Sequence, residues 1–208
     1  MKQYALFDMD GTLLDSMQYW RGAHMEFVDS HLRLSPEDEA RAAVKHMTLQ
    51  QVSEWCARYG VRYTVEDYLA IMERHYRHDI GLKTGTLPLL RYLREQGVQM
   101  AIASASPTRL IQLALQTTGI DHFFSFILST EDYPGGKGAP EIFRVGLSRF
   151  GCAAVDCALY DDALYSLRTA YKEGLYTIGV ADETNVNDRD EIALCTYEFC
   201  SLDGQERE

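Results

Sequence analysis

The chain begins with a short apolar run that is followed at once by carboxylates. Residues 4–7 (Tyr-Ala-Leu-Phe) are continuously apolar, and residues 8–12 read Asp-Met-Asp-Gly-Thr. A short apolar run bounded by turn-forming residues predicts a buried strand, so we expect Asp8 where that strand ends. Side chains alternate along a strand, which lets Asp8 and Asp10 face the same side. Gly11 permits a sharp exit from the strand.

From Ser16 to about Ile80 the spacing of apolar positions changes to that of helices. Ser35, Thr48 and Thr64 each offer a capping hydroxyl with a polar residue three positions later, which is typical of a helix start. These features predict an all-helical stretch. The apolar and aromatic residues expected to form its core are Val52, Trp55, Cys56, Tyr59, Tyr68, Met72 and Tyr76.

Two histidines lie within the same stretch. His75 and His78 are three positions apart on a predicted helix, a spacing that a metal site could use. We interpret them instead as residues of a solvated helix face, because a pair of histidines without further ligands is a weak indication of a metal.

After Gly81, helical segments alternate with short apolar runs, which is the pattern of repeated strand–helix units and a parallel sheet. The fold class is therefore α/β, a Rossmann-like parallel sheet flanked by helices. The helical stretch interrupts it as an inserted domain, residues 15–80, between core segments 1–14 and 81–208. Besides 4–7, the predicted strands are 98–103, 124–128, 158–160 and 176–180; the predicted helices are 87–96, 107–119, 140–150 and 163–173.

Composition narrows the classes of partner. The chain has 208 residues, 46% of them hydrophobic and 25% charged, which is ordinary for a soluble globular protein. Its formal net charge of −11 argues against a nucleic acid or an anionic membrane as partner, since both are polyanions. An anionic substrate must therefore meet a local positive site.

The chain also lacks the usual features of export. No apolar run approaches the length of a membrane span, and the N-terminus enters the first strand without a signal-peptide pattern. Five cysteines, an odd and scattered set without C-x-x-C spacing, fit reduced thiols better than a disulfide framework or a zinc site. We predict a cytoplasmic protein.

Several residues suited to phosphoryl chemistry each end a predicted strand or begin a predicted helix. Because the carboxyl ends of parallel strands lie at one edge of a sheet, we expect these residues to meet. One carboxylate could attack phosphorus while its neighbour moves a proton on the leaving oxygen. The residues are Asp8, Asp10, Ser104, Lys137, Asp161 and Asp162.

Four aspartates brought together would repel one another unless a divalent cation shared their oxygens. We infer Mg²⁺, because it prefers oxygen ligands and commonly bridges carboxylates to phosphate. Lys137 and the hydroxyl of Ser104 would then hold the remaining phosphate oxygens. The sequence predicts a site of phosphoryl transfer.

These residues, in this order, resemble the four motifs of the haloacid dehalogenase-like hydrolase superfamily. Residues 8–12 resemble the first motif and Ser104, after Met-Ala-Ile-Ala, the second. Lys137 resembles the third motif, and Asp161-Asp162 the acidic fourth. The resemblance spans nearly the whole chain. Four motifs in the expected order indicate the superfamily far more specifically than any one motif does.

The resemblance implies a role for each residue. Asp8 would be the nucleophile that forms an aspartyl-phosphate, and Asp10 the general acid and then base. Mg²⁺ would be held by Asp8, the backbone carbonyl of Asp10 and Asp162, with Asp161 as a ligand or as a partner of one. The residues implied to bind the phosphoryl group are Ser104, Lys137 and Thr12.

The insertion at 15–80 resembles the small helical cap of the subgroup that includes phosphoglycolate phosphatase and β-phosphoglucomutase. The resemblance therefore implies a Mg²⁺-dependent phosphatase. A small phosphorylated metabolite is the expected substrate, because a closing cap leaves little room for a protein chain. The sequence leaves the identity of that metabolite and the oligomeric state open.

Other interpretations remain at this point. A sugar phosphomutase shares the fold and motifs, but those mutases carry His where this chain has Trp20 and an Arg near 47–49, which this chain lacks. A non-catalytic phosphate-binding or signalling protein would be expected to have lost a motif. Taken alone, Ser104 could be a hydroxyl near a helix, Lys137 a solvated loop lysine, and Asp161-Asp162 a helix start.

Overall fold

The computed structural model describes residues 2–32, 34, 41, 43–44 and 47–203. The chain divides into two compact units. One consists of Met1–Asp15 with Ile80–Glu208, and the other of Ser16–Asp79. The first strand thus belongs to the same unit as the second half of the chain, and the second unit is an insertion into the first.

The first unit is built on a parallel sheet of six strands in the order β3-β2-β1-β4-β5-β6. Every neighbouring pair of strands runs parallel, so all carboxyl ends lie along one edge. The α/β prediction is confirmed, with β1 in the interior of the sheet. The strands are β1 Tyr4–Phe7, β2 Gln99–Ser104, β3 Phe124–Ser129, β4 Cys157–Asp161, β5 Tyr176–Val180 and β6 Glu198–Cys200.

Strand β6 was not predicted. It has only three residues, and two of them, Glu198 and Phe199, are exposed, so it offers neither a long apolar run nor a buried face. Its pairing with β5 defines it, from Ile178 opposite Glu198 to Val180 opposite Cys200. A strand of this kind is recognisable only from its neighbour.

Four helices of the first unit match the predicted alternation, and the short helix Arg189–Ala193 is an addition to it. Helix α5 (Thr108–Thr118) is followed by Gly119 and α6 (Glu141–Phe150) by Gly151, and both glycines adopt positive φ, as expected of glycines that terminate helices. The helices with regular bounds are α1 Met17–His31, α2 Leu49–Ala57, α3 Val65–His78, α4 Thr86–Glu95, α5 Thr108–Thr118, α6 Glu141–Phe150, α7 Leu164–Lys172 and α8 Arg189–Ala193.

Side chains pack against β1 on both faces of the sheet. Leu6 is buried on one face of the sheet in a cluster that includes Ile142 and Phe143 of α6. A Cβ at Gly146 would lie 3.0 Å from the Leu6 side chain, so α6 packs closely on β1 because Gly146 has none. On the opposite face the Phe7 ring stacks on Tyr160 at 4.5 Å between centroids. The residue that follows β1 is thereby fixed in place.

The second unit is helical in its described part. Thr48 and Thr64 each form a capping box, at the starts of α2 and α3, which confirms two of the predicted helix starts. The start predicted at Ser35 lies outside the described residues. The core of the second unit contains the buried residues Val52, Trp55, Cys56, Tyr63, Met72 and Tyr76.

Two expectations for this unit are wrong: Tyr59, expected in the core, is exposed, and His75 does not lie on a solvated helix face. The His75 side chain is only 12% exposed, and its two ring nitrogens lie 2.7 Å from carboxylate oxygens of Glu26 and Asp79. The ring also contacts Tyr19, at 4.6 Å between centroids. Helix α1 packs beside α3 and brings Glu26 against it, a contact that helical spacing within α3 does not reveal. His78 is exposed as predicted.

Two further predictions concern the whole chain. All five cysteines are free thiols, and Cys56, Cys157 and Cys195 are buried. Among the helices of the described residues, none has the length and apolar character needed to cross a membrane.

Candidate active site

Asp8 follows directly on the buried strand β1. Its backbone N–H donates to the Tyr160 carbonyl at 2.9 Å, so the hydrogen bonding between β1 and β4 continues one residue beyond the strand. Gly11 then takes a φ of 77°, which turns the chain away from the sheet as expected. Its N–H donates to the Leu14 carbonyl at 3.1 Å and closes a tight loop. Asp8 therefore sits on rigid backbone at the carboxyl edge.

Three carboxylates meet at this edge. Strand β4 ends at Asp161, and Phe7 lies opposite Tyr160 in the register, so the residues after each strand are neighbours. Asp8, Asp161 and Asp162 each place one carboxylate oxygen within 4.8 Å of the others, and all three residues are buried. The convergence predicted for these residues is present in the structure.

Lys137 lies between two members of the acidic cluster. Its Nζ is 2.8 Å from Asp8 Oδ1 and 2.8 Å from Asp161 Oδ2. The residue comes from a short 3-10 turn, Gly136–Gly138, and is only 2% exposed. The alternative of a solvated loop lysine is therefore wrong.

Asp161 is held by donors on both carboxylate oxygens. Oδ2 accepts from Lys137 and from the Ser166 hydroxyl, at 2.8 and 2.6 Å. Oδ1 accepts from the Ala163 backbone N–H at 2.9 Å. Asp161 thus orients Lys137, which in turn contacts Asp8. Asp161 is predicted either to bind the metal or to hold a residue that binds it. These contacts favour the second role.

Asp162 is oriented by two residues remote in sequence. The Thr12 hydroxyl donates to Asp162 Oδ1 at 3.0 Å, and the Asn185 side-chain amide donates to the Asp162 carbonyl at 3.0 Å. Thr12 is fully buried. Because its hydroxyl hydrogen is directed at Asp162, the contact observed for Thr12 is with this carboxylate; its role in phosphate binding stays a prediction.

Asp10 and Ser104 are linked through Ser106. The Ser106 hydroxyl donates to Asp10 Oδ2 at 2.6 Å, and the Ser106 backbone N–H donates to Ser104 Oγ at 3.1 Å. Asp10 is partly exposed, whereas both serines are buried. All six residues expected to converge therefore lie at one edge of the sheet.

Sequence reasoning missed Ser106, Ser166 and Asn185 as parts of the site. Ser106 lies two positions after Ser104 and directly before the helix predicted over 107–119, a position that indicates a helix start rather than a site residue. Ser166 follows Asp161 by five positions, inside a predicted helix. Asn185 carries no comparable indication, because its contacts depend on how the loop after β5 folds back.

Burial and mutual repulsion shape the electrostatics of the cluster. Burial raises the pKa of Asp8 well above its usual range; Lys137 acts against this, and Asp161 and Asp162 add to it. Burial, then Asp161, raises the pKa of Asp162 to about 7. For Lys137, burial acts to lower the pKa, but Asp161 and Asp8 outweigh it and raise the pKa above its ordinary value.

The donor set fits a divalent cation. Three buried carboxylates face one buried ammonium, so with all three ionised the described residues of the cluster would carry two negative charges in excess. Oxygen ligands at this spacing suit a hard cation such as Mg²⁺, and a dication would balance that excess. The carboxylates that would hold it are Asp8 and Asp162, with Asp161 beside them.

The comparison with known protein families covers most of the chain. A family model described as haloacid dehalogenase-like hydrolase matches residues 5–180, a span that includes every site residue discussed except Asn185. Asn185 lies just beyond the match. The chain belongs to the haloacid dehalogenase-like hydrolase family. The predicted superfamily membership is confirmed.

Relatives in this family are named phosphatases. The chain is 27% identical over 165 residues to hexitol phosphatase B of Escherichia coli strain K12, covering 73% of each protein. It is 25% identical to the pyrophosphatase PpaX of Bacillus velezensis, covering 85% of this chain and 82% of that protein. It is 23% identical to the phosphoglycolate phosphatase of Pasteurella multocida, covering 90% of each. The prediction of an enzyme of this family, a phosphoric monoester hydrolase, is confirmed.

Solved structures agree on the fold. A Thermotoga maritima protein assigned as a beta-phosphoglucomutase matches with a TM-score of 0.81 at 17% identity, covering 97% of this chain and 95% of that one. CbbY of Rhodobacter sphaeroides, solved in complex with phosphate, matches with a TM-score of 0.73 at 19% identity over 98% and 96% of the two chains. At these identities the likeness establishes the fold alone.

Proposed function

We propose that this hydrolase is a Mg²⁺-dependent phosphatase that cleaves the monoester of a small phosphorylated metabolite through an aspartyl-phosphate on Asp8. One observation carries the proposal: Asp8 Oδ1 lies 2.8 Å from the buried Lys137 Nζ, in a cluster with the carboxylates of Asp161 and Asp162. This is a carboxylate on rigid backbone, beside a fixed cation, where an anionic phosphoryl group needs both.

In the first step an Asp8 carboxylate oxygen attacks phosphorus, and the bond between phosphorus and the ester oxygen breaks. Asp10, protonated at the start, gives its proton to the leaving oxygen, which departs as an alcohol. Lys137 donates to oxygens of the transferring group, since an ammonium offers three hydrogens and contacts two carboxylates here. The products of this step are the free alcohol, an aspartyl-phosphate and the Asp10 carboxylate.

In the second step Asp10 takes a proton from water as the water oxygen attacks the phosphorus of the aspartyl-phosphate. The bond between phosphorus and the Asp8 oxygen breaks, which releases phosphate and restores both aspartates to their starting state. Ser104 and Thr12 are proposed as further contacts of the phosphoryl group. When bound, Mg²⁺ would offset the charge of the carboxylates and of the incoming phosphate.

Replacement of the general acid is expected to slow the enzyme in a substrate-dependent way. Asp10→Ala should lower kcat for an alkyl phosphate by about 10²- to 10⁴-fold. With p-nitrophenyl phosphate the loss should be smaller if formation of the aspartyl-phosphate limits the rate, since nitrophenolate leaves without a proton. Steady-state kinetics on the two substrates tests this, and an unchanged kcat for the alkyl phosphate would contradict the role of Asp10.

Removal of the metal is expected to abolish turnover and to lower stability. A chelator should stop phosphate release, and added Mg²⁺ should restore it. Because a ligand that binds only the folded state stabilises it, Mg²⁺ at 100 times its Kd should add about 2.7 kcal/mol to the free energy of unfolding. Thermal or denaturant unfolding with and without Mg²⁺ measures this without reference to activity.

Asp162→Asn is expected to remove most of that stabilisation and to raise the Mg²⁺ concentration needed for half-maximal activity. Asp132→Asn provides the matched control, because Asp132 is an exposed aspartate of the same unit outside the cluster. If Mg²⁺ stabilised Asp162→Asn as much as the control variant, the cation would have to bind elsewhere.

The substrate class is proposed from the family and tested by a screen. We propose the insertion, predicted as residues 15–80 and found as the unit Ser16–Asp79, as the cap of this subgroup, the part that selects the leaving group. A sugar, polyol or glycolate phosphate is proposed as substrate. Phosphate release is measured over a panel of such esters with pyrophosphate included, with and without a chelator. Mg²⁺-dependent release from at least one monoester is expected. The proposal would be contradicted if no ester of the panel released phosphate, or if the chelator left the release unchanged.

The same screen separates hydrolysis from phosphoryl transfer between positions of a sugar. A mutase would convert one sugar phosphate into its isomer with little free phosphate, whereas a phosphatase releases stoichiometric phosphate. A non-catalytic phosphate-binding protein would do neither. The cytoplasmic location stays a prediction.

A further inference from the structure

The contact between Ser106 and Asp10 has no place in the mechanism as derived from the motifs. Ser106 Oγ donates to Asp10 Oδ2 at 2.6 Å, a short hydrogen bond between residues that are 96 positions apart. Ser106 is 5% exposed, so water cannot readily replace its hydroxyl at this position. Asp10 is partly exposed.

The backbone around Ser106 is held from both sides. Its N–H donates to Ser104 Oγ at 3.1 Å, and its carbonyl accepts from the Ser129 hydroxyl at 2.8 Å. Pro107 follows with a φ of −55°, a value that the proline ring restricts, and helix α5 begins one residue later. The hydroxyl of Ser106 is thus presented to Asp10 by a segment with little freedom to move.

We propose that Ser106 is the positioning residue for the general acid–base Asp10. Its hydroxyl holds Oδ2 in both halves of the reaction, because a carboxylate oxygen and the carbonyl oxygen of a carboxylic acid both accept a hydrogen bond. Proton transfer then runs through the other oxygen, Oδ1, whose direction is set by the contact at Oδ2. This inference rests on the proposed function and adds to it a residue that acts through Asp10.

A hydroxyl suits this task better than a charged donor would. A lysine or arginine at the same place would favour the carboxylate form and weaken Asp10 as an acid in the first step. A hydroxyl donates to either form, so the side chain keeps one orientation while its protonation state changes. Loss of the hydroxyl should therefore affect the rate of proton transfer more than the binding of substrate.

The test is a double-mutant cycle on an alkyl phosphate that the wild-type enzyme cleaves. Ser106→Ala is expected to lower kcat by about 10- to 100-fold while KM stays close to the wild-type value, because misplacement of a catalytic group slows chemistry. In the Asp10→Ala background the same change should have almost no further effect on kcat, since the group it positions is already gone. Ser106→Thr should restore most of the rate.

Thr177→Val is the matched control for the loss of a buried hydroxyl. Thr177 is fully buried in the same unit, and its hydroxyl donates to the Cys195 carbonyl at 2.7 Å. This variant should show a comparable loss of stability with an unchanged kcat. A fall in kcat for Ser106→Ala that is equally large in the Asp10→Ala background, or a rise in KM alone, would overturn the inference. If the wild-type enzyme cleaves the alkyl phosphate in the same assay, such a result overturns the role of Ser106 and leaves the proposed function standing. If the wild type does not cleave it, the proposed function itself has failed.

Discussion

Asp8→Asn is expected to lower kcat by about 10⁴-fold or more, because the amide oxygen cannot form a stable bond to phosphorus and no other carboxylate takes its place. The change is nearly isosteric and removes one of three buried carboxylates that face a single lysine. The folded state in the absence of metal should therefore be at least as stable as the wild type, since burial and the neighbouring carboxylates disfavour the charge on Asp8.

The measurement combines phosphate release with thermal unfolding. Asp15→Asn serves as control, because Asp15 is an exposed aspartate of the loop that follows Asp8 and should tolerate the same chemical change without loss of activity. Mass spectrometry of the variant excludes deamidation of the new side chain as a source of residual turnover. Wild-type activity in a correctly folded Asp8→Asn variant would remove the proposed nucleophile.

Lys137→Met is expected to produce the second large effect, on both stability and turnover. The methionine keeps most of the aliphatic stem but leaves Asp8 and Asp161 without the ammonium that now lies 2.8 Å from each. Breaking a buried ion pair from one side costs about 3–5 kcal/mol in the free energy of unfolding. Loss of a fixed donor to the transferring group should lower kcat by about 10²- to 10³-fold.

Lys83→Met is the control that separates the loss of stability from the loss of kcat. Lys83 is also buried and also has two carboxylate partners, with its Nζ 3.0 Å from Asp182 and 3.2 Å from Asp203. The Lys83→Met variant should be destabilised in a similar way, yet each folded molecule should keep the wild-type kcat. Denaturant unfolding and active-site-normalised kinetics compare the two variants. Equal kcat for Lys137→Met and Lys83→Met would show that Lys137 is only structural.

The position of the site was predictable because it depends on few physical choices. Apolar runs of strand length define β1 and β4, and the rule that parallel strands share a carboxyl edge brings Asp8 to Asp161 across 153 positions. Gly11 was expected to turn the chain away from the sheet, and its positive φ confirms this. Parallel strands share this edge whichever of them are neighbours, so the order of the strands in the sheet is not needed to place the site.

The contacts that orient the site were not predictable in the same way. Ser106 and Ser166 look like ordinary helix-proximal residues in sequence, and their roles depend on the direction in which each hydroxyl points after the chain turns. His75 is another case, since its burial arises from the packing of α1 against α3. Strand β6 depends on its pairing with β5 rather than on its own composition. Local pattern specifies elements, whereas tertiary packing specifies these contacts.

The central claim is that the Asp8 carboxylate itself takes up the phosphoryl group, and chemical trapping tests it most directly. The enzyme is quenched in acid during turnover, treated with borohydride, which reduces an aspartyl-phosphate to homoserine, and mapped by peptide mass spectrometry. The account predicts homoserine at position 8 in the wild type with substrate, none without substrate, and none in Asp8→Asn. Reduction at another carboxylate, or turnover with position 8 never modified, would contradict it.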